Sequence, residues 1–332
     1  MKTNRVGARR VVRAVIGGAL FAGLAVPTAQ AQTDWPVKPV RWILSQSAGA
    51  GPDIVARFVA ERISKSWNQP IVIDNRPGGQ NVIGAQAAAR AAPDGYTFYY
   101  ATTAALITNS FTFKSLPYDP EKDFAVIGII GKSPFMVAAN NALPVKSLAE
   151  LIALAKREPD KLAFASEGPK TFSGMLGDSF AALAGVKMLH VPYQRSGDAI
   201  QDTLGGRTQL VFLPTAALTS HVKSGALRAL AVTHSQRLPN LGDVPVMADT
   251  FPGFEYSGWH ALVAPNGVPA ETVARMNRDL DRVLKEPDVV ERLASLGLTT
   301  EGAGTTAQVA AFMRAERERW ARIVKAIGIV PE

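Results

Sequence analysis

Five short stretches of this sequence gather hydroxyls, small residues and glycines immediately after strand-like runs, and four of them stand just ahead of helical patterns. They are Ser45-Gln46-Ser47-Ala48-Gly49-Ala50-Gly51, Thr102-Thr103, Ser166-Glu167-Gly168-Pro169-Lys170-Thr171, Tyr193-Gln194-Arg195-Ser196 and Leu213-Pro214-Thr215. In a parallel sheet the carboxyl ends of strands are where ligands sit, because helix N-termini there present free N–H groups to an anion. Small residues let the backbone approach a ligand, and hydroxyls add side-chain bonds. Each stretch taken alone is also an ordinary capped helix start or turn.

Covalent chemistry finds less support. Gly177-Asp178-Ser179-Phe180-Ala181 imitates a nucleophile elbow, but Ser179 falls inside a helical pattern with no strand-to-helix turn. Ser220-His221-Val222-Lys223 and Lys223-Ser224-Gly225 echo two penicillin-recognising motifs, yet one lysine cannot fill both positions. The histidines His190, His221, His234 and His260 have no metal-ligand spacing, so no metal is expected, although His260 is a candidate hydrogen-bond donor to a ligand. Gly49-x-Gly51 with Ile54 in place of the third glycine is a poor dinucleotide fingerprint, and no cofactor is expected. The chain has no Cys, which removes disulfides and thiol chemistry.

Alternation of β-branched or aromatic runs with amphipathic stretches predicts an α/β protein with mainly parallel strands flanked by helices. Strands are expected at 40–44, 71–73 and 96–101, with helices at 53–63 and 82–91. A second series of the same kind begins near Lys132. Three closing helices, at 270–285, 288–296 and 306–327, make a poor domain alone. The economical topology returns the chain through a strand at 259–264, giving two lobes: 32–130 with 256–332, and 131–255. The segments near 124–136 and 250–260 would cross between them, with a ligand cleft in between.

The first 31 residues have the form of an export signal. Lys2, Arg5, Arg9, Arg10 and Arg13 precede an apolar run of 13 residues, too short for a membrane span, and Ala29-Gln30-Ala31 offers a cleavage site. Removing them takes away five basic and no acidic side chains, so the formal charge falls from +8 to +3. The remaining basic residues are scattered, which argues against a nucleic-acid partner. The expected product is a monomer in the periplasm.

Several segments carry a resemblance: IDNRPGG, AAPDGYT, LPYDPEKDF, KSLAELIALAK, MLHVPYQRSGDAI, SGALRALAVTHSQRLPNLGDVP and GWHALVAPNGVPAETVARMN. In order and over nearly the whole chain, they resemble the Bug family of periplasmic solute-binding proteins of tripartite tricarboxylate transporters. The resemblance implies a two-lobed periplasmic-binding-protein fold, a small carboxylate ligand, no enzymatic activity, and membrane transporter subunits or a sensor kinase as partner. In that family the first loop usually reads Pro-Phe-Pro-Pro-Gly-Gly; here Ser45, Gln46, Ser47, Ala48, Gly49 and Ala50 stand there, ahead of Asp53. Backbone anion binding therefore carries over to Ala48, Gly49 and Ala50, while the aromatic wall gives way to polar contacts from Ser45 and Ser47. On the second lobe Ser166 and Gly168 match, with Lys170, Thr171, Tyr193, Arg195 and Thr215 as further candidates beside Thr102 and Thr103. Leu213 stands where many members carry Asp, which favours a dicarboxylate or aromatic carboxylate over an amino acid.

Overall fold

The computed structural model describes residues 35–331; the expected signal segment lies outside them. The first half of the fold is β1 (Val40–Leu44), α1 (Gly51–Trp67), β2 (Ile71–Asn75), α2 (Val82–Ala89), β3 (Thr97–Thr102), a π-helical turn (Ala104–Thr108) running into α3 (Asn109–Thr112), and β4 (Phe124–Asn140). The second comprises α4 (Leu148–Arg157), β5 (Ala163–Ser166), α5 (Phe172–Ala184), β6 (Leu189–Pro192), α6 (Ser196–Leu204), β7 (Leu210–Pro214), α7 (Thr215–Lys223) and β8 (Leu227–Val232). The chain closes with β9 (Ser257–Pro265), α8 (Ala270–Leu284), α9 (Pro287–Ser295) and α10 (Thr306–Ile327).

Two parallel trios, β2-β1-β3 and β6-β5-β7, lie at the ends of one strand order, β2-β1-β3-β9-β4-β7-β5-β6. β4 joins them. Its first part, through Pro134, pairs with β9, and its last part, from Phe135, pairs with β7 and β8, all antiparallel. The segment expected only as a crossing is therefore a 17-residue strand. Its pairing with β9 shifts register between Val126 and Gly128 and again between Ile129 and Gly131. The absent side chains matter there: a Cβ on Gly128 would meet Ala303 at 2.7 Å, and one on Gly131 the Thr299 carbonyl at 2.9 Å.

Alternation along the strands sorts the core. Trp42, Leu44, Phe98 and Tyr100 pack with α1 and α8 on one face of the first trio. Ile43, Tyr99 and Ala101 belong to a second core that runs through α2 and Trp320 of α10 to Phe164 and Phe180 in the second half. α10 thereby packs against β4 and α5 together.

Candidate ligand site

The first loop is held by a buried carboxylate. Asp53, in the opening turn of α1, turns back so that Oδ2 accepts the Gly49 N–H (2.8 Å) and Arg57 Nε (2.9 Å), while Oδ1 accepts Asn75 Nδ2 (2.8 Å). Asn75 also donates to the Gln46 carbonyl at 2.9 Å. Burial alone would raise this carboxyl; the bonds from Arg57, Asn75 and Gly49 outweigh it and hold it below the usual range. Of the three amides expected to hold an anion, Gly49 is thus engaged by Asp53, and Ala50 donates to the Ser47 carbonyl at 3.1 Å.

Ser45 is buried, accepting from the Tyr99 hydroxyl at 2.6 Å and donating to the Asn81 carbonyl at 3.0 Å. Gln46 Nε2 donates to Asn81 Oδ1 at 2.6 Å, while Gln46 Oε1 is buried with no protein partner. Asn81 therefore anchors the first loop from the segment after β2, which the sequence reading did not include among the site residues. Gly78, Gly79, Gln80 and Asn81 all take positive φ; the Gly-Gly pair after β2 was the available signal.

At the end of β3, Thr102 Oγ1 is buried without a partner. Thr103 is spent on structure: Oγ1 accepts the Trp259 N–H (2.8 Å) and donates to the Trp259 carbonyl. His260 is buried, with Nδ1 2.7 Å from the Tyr100 hydroxyl. Burial pushes the Tyr100 phenol well up and His260 down to about 4, so the phenol donates and His260 is neutral with its proton on Nε2. An unfolded histidine takes up its proton near 6.5, so this stability is complete above that value and is lost as pH falls toward 4. Between pH 7 and 5 the loss from this group is expected to be about 2 kcal/mol. Urea titrations at both pH values should show a smaller loss in His260→Gln; an equal loss would refute the assignment.

In the second half, Ser166 is buried at the end of β5, accepting the Gly168 N–H (3.0 Å) and bonding His190 Nε2 (2.6 Å). Thr171 caps α5, accepting from the Gly174 N–H (3.2 Å) while donating to the Gly168 carbonyl (2.6 Å). Four further candidates have protein partners. Lys170 donates to the Val330 carbonyl at 3.4 Å, and Tyr193 to Asp202 at 2.8 Å. Arg195, the residue before α6, makes two 2.9 Å bonds to Asp198, and Thr215 opens α7, its carbonyl accepting from Thr219 Oγ1. Glu167, expected only as a member of the 166–171 loop, has a distinct role: its carboxylate accepts from Ser196 Oγ and so links two of these loops.

The sequence model of the tripartite tricarboxylate transporter family receptor matches residues 55–329. This chain belongs to that family. Among relatives of this receptor, Protein BugT of Bordetella pertussis is 34% identical over 309 residues, covering 92% of the chain and 94% of BugT. Two solved structures of Rhodopseudomonas palustris proteins share the fold. Rpa4515 with adipate superposes with a TM-score of 0.79 at 31% identity, over 90% of this receptor and all of Rpa4515. MatC with bound malate gives 0.72 at 28% identity, over 87% of this receptor and all of MatC. The resemblance to the Bug family and the two-lobed binding-protein fold expected from the sequence are both borne out. No helix among the described residues is long and apolar enough to cross a membrane.

Proposed function

We propose that this receptor captures a small carboxylate, a dicarboxylate or aromatic carboxylate, in the periplasm and delivers it to membrane transporter subunits. The two lobes are taken as 32–130 with 256–332, and 131–255, with the ligand between the loop sets that end the two parallel trios. The observation that carries this reading is that both sets put hydroxyls, small residues and helix starts at strand carboxyl ends, with Thr102 Oγ1 and Gln46 Oε1 left without protein partners. The solved relatives that hold adipate and malate support the ligand class.

A periplasmic hydrolase would need a nucleophile. Ser166, His190 and Asp178 fall in a suggestive order, but His190 Nδ1 is 3.9 Å from Asp178 and Ser166 Oγ is occupied by the Gly168 N–H as well as His190. The reading is therefore of a binding protein without catalysis.

A thermal-shift screen across mono-, di- and tricarboxylates and amino acids tests the ligand class. A ligand present at a hundred times its Kd should raise Tm by roughly 5 °C, since it adds about 2.7 kcal/mol to the native state. A shift with an amino acid alone would assign Glu167 as an ammonium partner and overturn the carboxylate class, as would a shift with uncharged solutes alone.

A further inference from the structure

A cavity of about 550 Å³ lies where α10 meets α5 and the segment leading into β9. Its walls are apolar, formed by Leu183, Phe251, Phe254, Ile323 and Ile327. Leu183 is 55% exposed on this face. Two polar groups of the lining are buried without a partner, Ser179 Oγ and Arg319 Nε, and Ser179 is only 5% exposed. A buried polar atom left unpaired is costly, and a ligand that pairs it recovers that cost.

The charges at the cavity favour an anion. Arg319 donates from Nη1 to the Glu255 carbonyl (2.8 Å) and from Nη2 to Glu316 (2.5 Å). The Glu255 carboxylate is neutralised by Lys132 at 2.7 Å. Arg322, also in the lining, is exposed and has no ion pair among the described residues. The cavity thus combines an apolar trough with one uncompensated cation and a waiting hydroxyl. Its size is in the ordinary range for small-molecule sites.

We propose that this cavity binds an amphipathic carboxylate, with the hydrocarbon chain among Phe251, Phe254 and Ile323 and the headgroup at Arg322 and the Ser179 hydroxyl. The site is separate from the loops at the strand ends and stands even if those loops take a different ligand. Tyr256 lines the cavity and donates to the Phe172 carbonyl at 3.0 Å, one residue beyond the loop 166–171, so an occupant also touches the framework of that loop.

The test is isothermal titration of the 32–332 protein with hexanoate, octanoate and decanoate, each below its micellar concentration. Affinity should rise with chain length by up to about fourfold per methylene, the transfer value of one buried CH₂. Ala326→Trp fills the trough from an exposed lining position and should weaken decanoate at least tenfold with Tm unchanged. Arg322→Gln should weaken it about fivefold, and as an exposed substitution it carries the test if Ala326→Trp misfolds. No binding of decanoate by the wild type overturns the proposal. So does decanoate binding that both variants leave intact, which would place the anion elsewhere.

Discussion

Gly174→Ala is expected to lower the unfolding free energy by roughly 3 kcal/mol and to weaken ligand binding at least tenfold. Gly174 is the third residue of α5, and its bare Cα is the floor on which the loop 166–171 rests. An added Cβ would overlap the Gly168 carbonyl oxygen, sit 2.9 Å from its carbon and 3.0 Å from His190 Cε1. The carbonyl cannot simply retreat. It accepts from Thr171 Oγ1 at 2.6 Å and from the Thr171 N–H at 3.2 Å, and Gly168 itself has a φ of +131°, which leaves a side-chain-bearing replacement strained. Relief must come from moving the loop, which displaces Ser166, Gly168 and Thr171 together. Gly197→Ala is the matched control: it lies in the first turn of α6, its φ is unexceptional, and a Cβ there meets nothing within 4 Å. Urea unfolding and titration with the carboxylate found by thermal shift should separate the two variants; equal midpoints and equal affinities would mean that the loop is not held by this contact.

Gly174 also shows where sequence reading stops. Its helix was legible, as were β1 and α10, because apolar periodicity and capping residues are local signals. That a carbonyl six residues upstream in sequence would fold back onto position 174 is not encoded in any period. Residues 124–136 were read only as a crossing between the lobes; in the fold they belong to β4, with register shifts against β9 at Gly128 and Gly131 and close contacts from these two glycines to Ala303 and Thr299. The loops at the strand ends were legible as a class, since hydroxyls and small residues stand out there. Which of their atoms are free was not. Thr103, Tyr193 and Arg195 look like ligand groups in sequence and carry protein bonds in the structure, whereas Asn75, Asn81 and Glu167 carry the loops and look unremarkable in a string of letters. Long-range partners decide these roles, and only the fold supplies them.

The same reasoning gives Asp53 an effect as large as that of Gly174, although in sequence it is only an acidic residue in a helix's first turn. Asp53→Ala is expected to cost about 3 kcal/mol, because the Gly49 N–H and the Asn75 amide lose a buried acceptor at once. Arg57 is half exposed and rehydrates, so its share is small. Asp53→Asn keeps one carbonyl acceptor and should fall between. The consequence for binding follows from geometry: Asn75 is the other tie to the Gln46 carbonyl, so the loop 45–50 is released at both ends and affinity should drop at least tenfold. A pH dependence identifies the charge as the agent. The folded carboxyl lies below its ordinary value near 3.8, so its stabilisation is complete above that value and disappears as pH falls through the folded one. Wild type should therefore lose stability below about pH 4 more steeply than Asp53→Ala. That window lies below the one set by His260, between 6.5 and about 4, so the double variant with His260→Gln should flatten both parts of the profile independently. If Asp53→Ala matches wild type in midpoint, acid slope and affinity, the loop is held by its own backbone turn at Ser47 and Ala50, and the carboxylate is incidental.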